Sequence, residues 1–148
     1  MSDKRLTLEL VTPEKVAWSA PADFVVLPAA QGEMGVLPGH MPFLVQLAPG
    51  EVRITDKGEV KRFAVSGGFA EVKDGIVSLF AETAEAAEHI DAERAHQALE
   101  RAKAESTQPN LDPAHLAEID AAVRRARIRL RVARHGKGAP SLDPREQE

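Results

Sequence analysis

Four arginines in the second half of the chain have the chemistry and the spacing to bind phosphate groups. Arg94 and Arg101 are seven residues apart, which places them on one side of a helix, and Arg125 and Arg129 are four apart. If two helices carrying these pairs lie side by side, up to four guanidiniums converge. Planar guanidiniums donate hydrogen bonds in pairs to phosphate oxygens. The alternative is that these side chains are solvated or paired with nearby carboxylates.

A second set with the spacing of a binding site is His89, Glu93 and His96, which recur four and three residues apart. On one helical face they could bind a metal ion. However, His89 precedes Asp91, the predicted start of the helix, and no third strong ligand accompanies the two histidines. A solvated helix face is therefore the preferred interpretation, and we predict no metal site.

Signatures of enzymes are absent from the sequence. It has no serine-centred elbow, no phosphate-binding glycine loop with a lysine, no H-E-x-x-H pair and no cysteine. His40 stands alone in a loop, and an isolated histidine is more often structural than catalytic. The run Ser66-Gly67-Gly68 is too short for a phosphate cradle and predicts a bulge or a close approach between strands. We expect a protein that is not itself an enzyme.

The segment from Gln31 to Leu44 is both stiff and apolar, which is unusual for a loop. Its three glycines and two prolines exclude a regular helix, and one glutamate and one histidine stand among six apolar residues. One interpretation is a shaped loop between core strands, with the apolar side chains buried. The other is a platform that contacts another protein. The apolar residues are Met34, Val36, Leu37, Met41, Phe43 and Leu44.

The net charge of -4 is unevenly distributed. Six arginines and no acid lie between residues 124 and 134, whereas five acids and no lysine or arginine lie between 82 and 93. The overall acidity argues against a chain that binds nucleic acid. The arginine-rich segment lacks interleaved aromatic residues for base stacking, so an acidic protein surface is favoured over RNA as its partner. Since no run of eighteen apolar residues occurs, we expect no transmembrane span.

Residues 1–84 predict an all-β sandwich. Apolar and polar residues alternate in segments beginning near residues 6, 43, 52 and 63, the period of a half-buried strand. The run Phe24–Leu27 is apolar throughout and suits a strand that is buried on both faces. Turn signals, including Asp56-Lys57-Gly58 and Lys73-Asp74-Gly75, predict hairpins and many short strands.

Residues 85–136 predict a helical hairpin. Asp91 and Asp112 are the expected N-caps, Pro113 occupies the favoured first position of the second helix, and Gly136 ends that helix. Residues 137–148 combine Gly, Pro, Ser and charge, and they predict a disordered tail.

The predicted hairpin has little apolar surface on its first helix. The inner face carries only Ala95, Ala98, Leu99 and Ala102. At about 0.8 kcal/mol per methyl group and 1.5–3 kcal/mol per leucine, their burial contributes roughly 4–5 kcal/mol at most. Ordering the hairpin costs a comparable free energy. We therefore expect that the hairpin can be held in more than one place.

Four motifs, in this order, resemble the epsilon subunit of bacterial and chloroplast F-type ATP synthases. The motif at Gly32–His40 and the run Ile90-Asp91-Ala92-Glu93-Arg94-Ala95 are the specific ones. Val11–Glu14 and Ser66–Val72 support them, and the four together span most of the chain. The first three also resemble the mitochondrial delta counterpart. The chain departs from typical members in its longer tail and its denser arginine run.

The resemblance implies a fold and a place in a complex. The fold is a β-sandwich of about ten short strands followed by a C-terminal two-helix antiparallel hairpin. The subunit is not catalytic and lies in the central rotor stalk, where it binds the gamma subunit, the c-ring and the alpha/beta hexamer. It would couple proton flow to ATP synthesis at the cytoplasmic face of the cell membrane, as a peripheral protein.

The resemblance also implies roles for individual residues. Those implied to contact the c-ring and the gamma subunit are Glu33, Met34, Gly35 and His40. When the hairpin extends into the catalytic hexamer it blocks ATP hydrolysis, and the arginines implied to face an acidic beta-subunit segment are Arg124, Arg127 and Arg131. Some bacterial members bind a regulatory ATP in the folded hairpin, and the matching residues here are Glu85, Ile90, Asp91, Arg94, Arg101, Arg125 and Arg129. Members that bind ATP very weakly share this pattern.

Three functions are compatible with these observations. The leading hypothesis is a rotor-stalk subunit that couples proton flow to ATP synthesis and inhibits ATP hydrolysis through its C-terminal helices. The second is a nucleotide sensor based on the hairpin. The third is an arginine-helix adaptor outside the synthase, with RNA as a candidate partner.

Overall fold

Ten strands precede two helices in the computed structural model, which describes residues 5–14 and 16–136. The predicted β-sandwich followed by a helical hairpin is confirmed, and the predicted tail at 137–148 lies outside the described residues. The strands are β1 (Leu6–Val11), β2 (Val16–Ala22), β3 (Phe24–Ala29), β4 (Gly32–Val36), β5 (Phe43–Leu47), β6 (Gly50–Asp56), β7 (Glu59–Val65), β8 (Gly68–Lys73), β9 (Ile76–Ala81) and β10 (Ala84–Ala86). A one-turn 3-10 helix (Ala87–His89) leads into α1 (Ala92–Ser106) and α2 (Pro113–His135).

The strands form a single hydrogen-bonded sheet that folds over on itself. Its order is β10-β7-β6-β3-β5-β8-β9-β1-β2, with β4 beside β3. Among the described residues, β1 and β9 form the parallel pair, and the other pairs are antiparallel. The folded sheet encloses a core of 17 buried apolar residues, so the sandwich has a hydrophobic centre of its own.

The alternation seen in the sequence determines which side chains enter this core. In β1, Leu6, Leu8 and Leu10 are fully buried, whereas the residues between them are exposed. In β3, by contrast, four successive residues from Val25 to Pro28 are buried. The prediction that this apolar run is covered on both faces is confirmed.

The segment from 31 to 44 is more regular than its glycines and prolines suggest. Gly32–Val36 forms β4, which pairs with β3, and Val36 is fully buried opposite Val25. Periodicity did not reveal this strand because two of its five residues are glycines, which leave too few side chains to show an alternation. The segment combines a hairpin strand with an exposed tip, and we keep the name platform for residues 31–44.

Two further strands were not singled out from the sequence. β2 pairs with β1, and its alternation is obscured by five small or proline residues. β10 pairs with β7, so the predicted domain boundary after residue 84 falls at the first residue of a strand. Three-residue strands such as β10 are too short to show a period.

The run Ser66-Gly67-Gly68 forms the predicted close approach between strands. Gly68 has φ +129°, and a Cβ atom there would lie 1.9 Å from the carbonyl oxygen of Phe80. The hydroxyl of Ser66 accepts a hydrogen bond from the backbone N–H of Thr83 at 3.0 Å. The run is therefore structural, as the residues predicted.

Both helices begin and end where the sequence predicts. The carboxylate of Asp91 accepts a hydrogen bond from the Arg94 N–H at 3.1 Å, and Asp112 accepts one from His115 at 2.7 Å. Pro113 is the first residue of α2, and Gly136 caps its end. Helix α1 buries the expected small face of Ala95, Leu99 and Ala102, and Ala98 is half-buried.

A small apolar cluster, separate from the main core, fastens the hairpin to the sandwich. We call it the attachment cluster. Helix α2 contributes three buried residues to it, and β7, the 3-10 turn and the residue directly after that turn contribute the rest. Its buried members are Ala64, Ala87, Ile90, Ile128, Val132 and Ala133.

Candidate functional site

A polar cavity of about 400 Å³ lies where β10, the beginning of α1 and the middle of α2 meet. Five of the seven residues implied to bind ATP line it, so the fold brings most of the predicted set together. The lining residues are Glu85, His89, Asp91, Arg94, Gln97, Ala98, Arg101 and Arg129.

The remaining two residues of the predicted set lie elsewhere. Ile90 is buried in the attachment cluster. Arg125 lines a second cleft, of about 250 Å³, in which Glu85 and Arg129 also take part. The four-residue spacing of Arg125 and Arg129 correctly placed them on neighbouring turns of one helix. Both line the second cleft, and spacing alone could not show that only Arg129 also reaches the polar cavity.

Arg129 and Glu85 form the strongest polar contact in the cavity. The guanidinium donates from Nε to Oε1 at 2.8 Å and from Nη2 to Oε2 at 3.0 Å. The hydrogen bonds to Glu85 raise the pKa of Arg129 above its ordinary value. Arg129 therefore stays charged, and its two hydrogen bonds to Glu85 join α2 to β10.

Arg94 and Arg101 supply the cations available to a ligand. Both are exposed on α1, and neither forms an ion pair within the described residues. With Arg129 they give three positive charges against the carboxylates of Glu85 and Asp91, a net charge of +1 when His89 is neutral. An anion can be held here, but the charge is small for a triphosphate.

Sequence reasoning missed two lining residues. Gln97 lies three residues after Arg94, and the helical period through Arg94 and Arg101 could have identified it. His89 had been considered only as a metal ligand. Among the described residues, no group of three or more metal-ligating side chains comes together.

The platform presents polar and apolar side chains at its exposed edge. Glu33 lies on β4 and pairs with Arg53, with Nη1 2.7 Å from Oε2. The Nδ1 atom of exposed His40 lies 3.0 Å from the carbonyl oxygen of Met41. Met41 is 78% exposed and Leu37 is 53% exposed. With Leu44, which is 69% exposed, three of its apolar residues therefore point outward.

The other predicted platform residues are held more tightly. Met34 is half-buried, and Val36 belongs to the core. Gly35 is exposed, but a Cβ atom there would lie 3.0 Å from the ring of Phe24. The platform is thus partly core and partly contact surface, so each interpretation of the sequence applies to some of its residues.

A second exposed apolar surface continues across the outer face of the sheet. Leu44 on β5, Phe69 on β8 and Phe80 on β9 are all exposed, and Phe69 pairs directly with Phe80. Exposed aromatic side chains at neighbouring positions are typical of surfaces that contact another protein. The sequence did not single out the two phenylalanines, because phenylalanine in a strand is usually buried.

The arginines of the outer face of α2 are exposed. Arg124, Arg127 and Arg131 form no ion pair within the described residues, and neither does neighbouring Arg134. They remain available to an acidic surface. Neither described helix is both long enough and apolar enough to span a membrane.

Comparison with known proteins decides the family. The family model described as "ATP synthase, Delta/Epsilon chain, beta-sandwich domain" matches residues 5–87. The ATP synthase epsilon chain of Nitratidesulfovibrio vulgaris (strain DP4) is 45% identical over 130 residues, which cover 88% of this chain and 96% of the relative. The chain belongs to the ATP synthase epsilon chain family. As an epsilon chain it is a non-catalytic subunit, as the sequence predicted.

Other epsilon-chain relatives cover the helices as well as the sandwich. The epsilon chain of Thermobifida fusca (strain YX) is 45% identical over 141 residues, 92% of this chain and 97% of the relative. A chain from the Euglena gracilis mitochondrial ATP synthase structure, titled "OSCP/F1/c-ring", has a TM-score of 0.78 and 33% identity, and the match covers 91% of this chain and 84% of that one. A chain from the Tetrahymena thermophila mitochondrial ATP synthase shares the fold, with a TM-score of 0.64 at 15% identity over 90% of this chain and 99% of that one.

Proposed function

We propose that this epsilon chain is a central-stalk subunit of an F-type ATP synthase, that it couples transmembrane proton flow to ATP synthesis, and that its helices restrain ATP hydrolysis. Family membership supports the assignment to the synthase. The Euglena and Tetrahymena structures, whose titles name the c-ring and, for Tetrahymena, the central stalk, support the position. Its location is the cytoplasmic face of the membrane, as a peripheral subunit bound through its partners.

The proposal that the helices regulate hydrolysis rests on one observation: few buried apolar residues hold the hairpin on the sandwich. The sandwich core contains 17 buried apolar residues, whereas the attachment cluster contains six, three of them alanine. Burial of Ile128, Val132 and Ala133 contributes roughly 4–7 kcal/mol at most, which the cost of ordering the helices largely offsets. The hairpin can therefore leave the sandwich without unfolding it.

The proposed alternative position of the hairpin is on the catalytic hexamer. Arg124, Arg127 and Arg131 are exposed and form no ion pair with any described residue in the docked position, so docking of the described chain does not use them. A row of guanidiniums on one helix is complementary to an acidic protein segment. We propose that this segment belongs to the beta subunits.

Removal of the helices tests the inhibitory role. A chain that ends after Ile90 keeps all ten strands and the 3-10 turn. In the assembled synthase we expect faster ATP hydrolysis and retained assembly. Unchanged hydrolysis in a complex that contains the shortened chain would show that the helices do not inhibit.

A comparison of two variants that each lose three positive charges tests whether the exposed arginines of α2 contribute to inhibition. The triple variant Arg124→Gln, Arg127→Gln, Arg131→Gln removes three exposed positive charges from α2. The control removes three lysine charges from the sandwich, at Lys57, Lys61 and Lys73. We expect faster hydrolysis only with the α2 variant, and equal rates would exclude an electrostatic contact of this face.

The platform is the proposed contact surface for the c-ring and the gamma subunit, through Glu33, Met34, Gly35 and His40. Exposed Leu37 and Met41 extend it. We expect the double variant Leu37→Ser, Met41→Ser to reduce proton-driven ATP synthesis without unfolding the chain. Leu116→Ser, at an exposed leucine of α2, serves as the control. Normal coupling in the double variant would argue against the platform.

Nucleotide sensing by the docked hairpin is a second proposed function. The polar cavity favours it, because Arg94, Arg101 and Arg129 line the same opening. The cavity's net charge of +1 predicts weak affinity for ATP. Isothermal titration calorimetry of the isolated chain tests the binding and requires millimolar ATP. We expect Arg94→Ala to abolish the heat and Arg127→Ala, on the outer face of α2, to preserve it. No saturable heat at millimolar ATP would exclude the sensor.

A further inference from the structure

Glu51 on β6 is the buried charged residue of the described chain, with 5% exposure. Its Oε1 atom lies 3.0 Å from Nη1 of Arg62 and 3.4 Å from Nη1 of Arg53. Its Oε2 atom lies 3.0 Å from Nδ1 of His135. A buried carboxylate is costly unless cations and hydrogen-bond donors surround it. The three partners satisfy that requirement.

The contact with His135 crosses from the sandwich to the end of the hairpin. His135 is the last residue of α2, and Val132 and Ala133 of the same turn belong to the attachment cluster. Gly136 follows, where a Cβ atom would lie 2.4 Å from the Cβ of Ala87. Glu51 is therefore placed to hold the last turn of α2 on the sandwich.

Arg53 connects this contact to the platform. The same Nη1 atom that lies 3.4 Å from Glu51 lies 2.7 Å from Oε2 of Glu33. Glu33 is 58% exposed on β4, so a partner can reach its carboxylate. A continuous series of ion contacts thus runs from the exposed edge of the platform to the end of α2.

We propose that Glu33, Arg53, Glu51 and His135 form an ion network that couples contact at the platform to docking of the hairpin. A partner that engages Glu33 competes with Arg53. Arg53 then moves closer to Glu51, whose charge becomes more fully neutralised, and its attraction for His135 falls. Docking of α2 weakens as a result, and by linkage release of the hairpin strengthens the partner's contact at Glu33 by the same factor.

In this network Arg53 transmits the state of Glu33 to Glu51, and Glu51 holds the end of α2. The identity of the partner at Glu33 rests on the proposed function. The coupling itself is a property of the isolated chain and can be measured without the synthase. Failure of the coupling and failure of the proposed function are therefore distinguishable.

Amide hydrogen exchange of the isolated full-length chain tests the network. The readout is protection of the α2 amides from 126 to 133, relative to those of the sandwich. We expect Glu33→Gln to lower this protection about twofold to fivefold, since it releases Arg53 toward Glu51. Arg53→Gln is expected to raise protection by a similar factor, because His135 then has one fewer cation to compete with for the carboxylate of Glu51. If these residues only stabilised the surface, the two substitutions would not change protection of α2 in opposite directions.

Two further variants and one control complete the experiment. His135→Ala removes the α2 end of the network without altering the sandwich, and we expect protection to fall at least about threefold. Glu51→Gln is expected to have a larger effect, about tenfold or more, because it leaves the half-buried cations without their carboxylate. His115→Gln, at the exposed beginning of α2, should change nothing.

The signs of the changes decide the outcome. If Glu33→Gln and Arg53→Gln shift protection in the same direction, or if neither shifts it, the coupling is wrong. If His135→Ala leaves protection unchanged, Glu51 does not anchor α2. Should Glu51→Gln fail to fold, the other three variants still decide the question.

Discussion

Arginine carries most of the proposed chemistry of this chain, and the partners of each side chain decide what it can do. Arg129 is committed to Glu85 through two hydrogen bonds and so joins α2 to β10. Arg94 and Arg101 line the same cavity without an ion pair among the described residues, and they remain available to an anion. The sequence identifies all three, but it does not show which of them is already neutralised.

We expect Glu85→Gln to weaken docking of the hairpin by at most about 1 kcal/mol, since both side chains are about one-third exposed and water screens the pair. The measurement is hydrogen exchange of α1 and α2 against that of the sandwich. Glu100→Gln is the matched control, because its carboxylate contacts Lys103 only at 3.8 Å on the surface. Equal exchange in both variants would show that the Glu85 contact does not hold the hairpin.

A separate charged cluster ties the beginning of β1 to the turn between β6 and β7. The carboxylate of Asp23 accepts hydrogen bonds from the backbone N–H of Lys57 at 2.7 Å and from Arg5 at 2.9 Å, and Arg5 also contacts Asp56. The hydrogen bond from Lys57, followed by that from Arg5, lowers the pKa of Asp23 below its ordinary value. The folded state therefore favours the charged carboxylate.

The lowered pKa of Asp23 predicts a pH dependence of stability. Its contribution is complete above the ordinary aspartate pKa of about 4 and is lost as the pH falls through the lower pKa of the folded state. We expect Asp23→Asn to be less stable than the parent at pH 6, with the difference shrinking below about pH 4. Urea unfolding between pH 6 and pH 2.5 measures it. Asp74→Asn, in the exposed turn after β8, is the control, and a constant difference across this range would contradict the prediction.

At the scale of elements, the sequence predicts strands and helices best where an alternation extends over several residues or a capping residue marks a helix end. Leu6, Leu8 and Leu10 give β1 its alternation, and Asp91 and Asp112 mark the beginnings of both helices. β4 is hidden by its glycines and β10 by its length. The platform was predicted as a stiff loop, whereas its first half is a strand because β3 offers an edge to pair with, which is a tertiary effect.

The close approach at Gly68 gives a prediction at this scale. We expect Gly68→Ala to destabilise the sandwich by more than about 3 kcal/mol, because the added Cβ meets backbone atoms and the residue has positive φ. Gly58 also has positive φ but has open space around it, so Gly58→Ala should cost only about 1 kcal/mol. Chemical denaturation measures both, and equal losses would show that the contact with Phe80 is relieved by local movement.

At the scale of the whole molecule, the chain consists of a well-filled sandwich and a hairpin that is fastened at a few points. The sequence predicted a thinly packed hairpin from the small residues of α1, and the family resemblance named five of the eight residues that line the polar cavity. It could not predict the Glu51 network, because its members come from β4, β6 and α2. Contacts between distant segments leave no local pattern in a single sequence.

Release of the hairpin is the central claim, and a reversible cross-link tests it most directly. The chain has no cysteine, and the Ala87 and Gly136 positions meet where the end of α2 touches the 3-10 turn. A disulfide between Ala87→Cys and Gly136→Cys requires Cβ atoms about 3.5–4.5 Å apart, which the helix end can reach by a shift of about 1–2 Å. The matched controls are the two single variants, which cannot form this bond.

The measurement is ATP hydrolysis by the assembled synthase with the cross-link closed and then reduced, with closure confirmed by mobility on a gel. We predict that hydrolysis is faster with the hairpin locked on the sandwich and slows when the bond is reduced, while the single variants do not respond. Equal rates in the locked and reduced states would contradict inhibition by hairpin release.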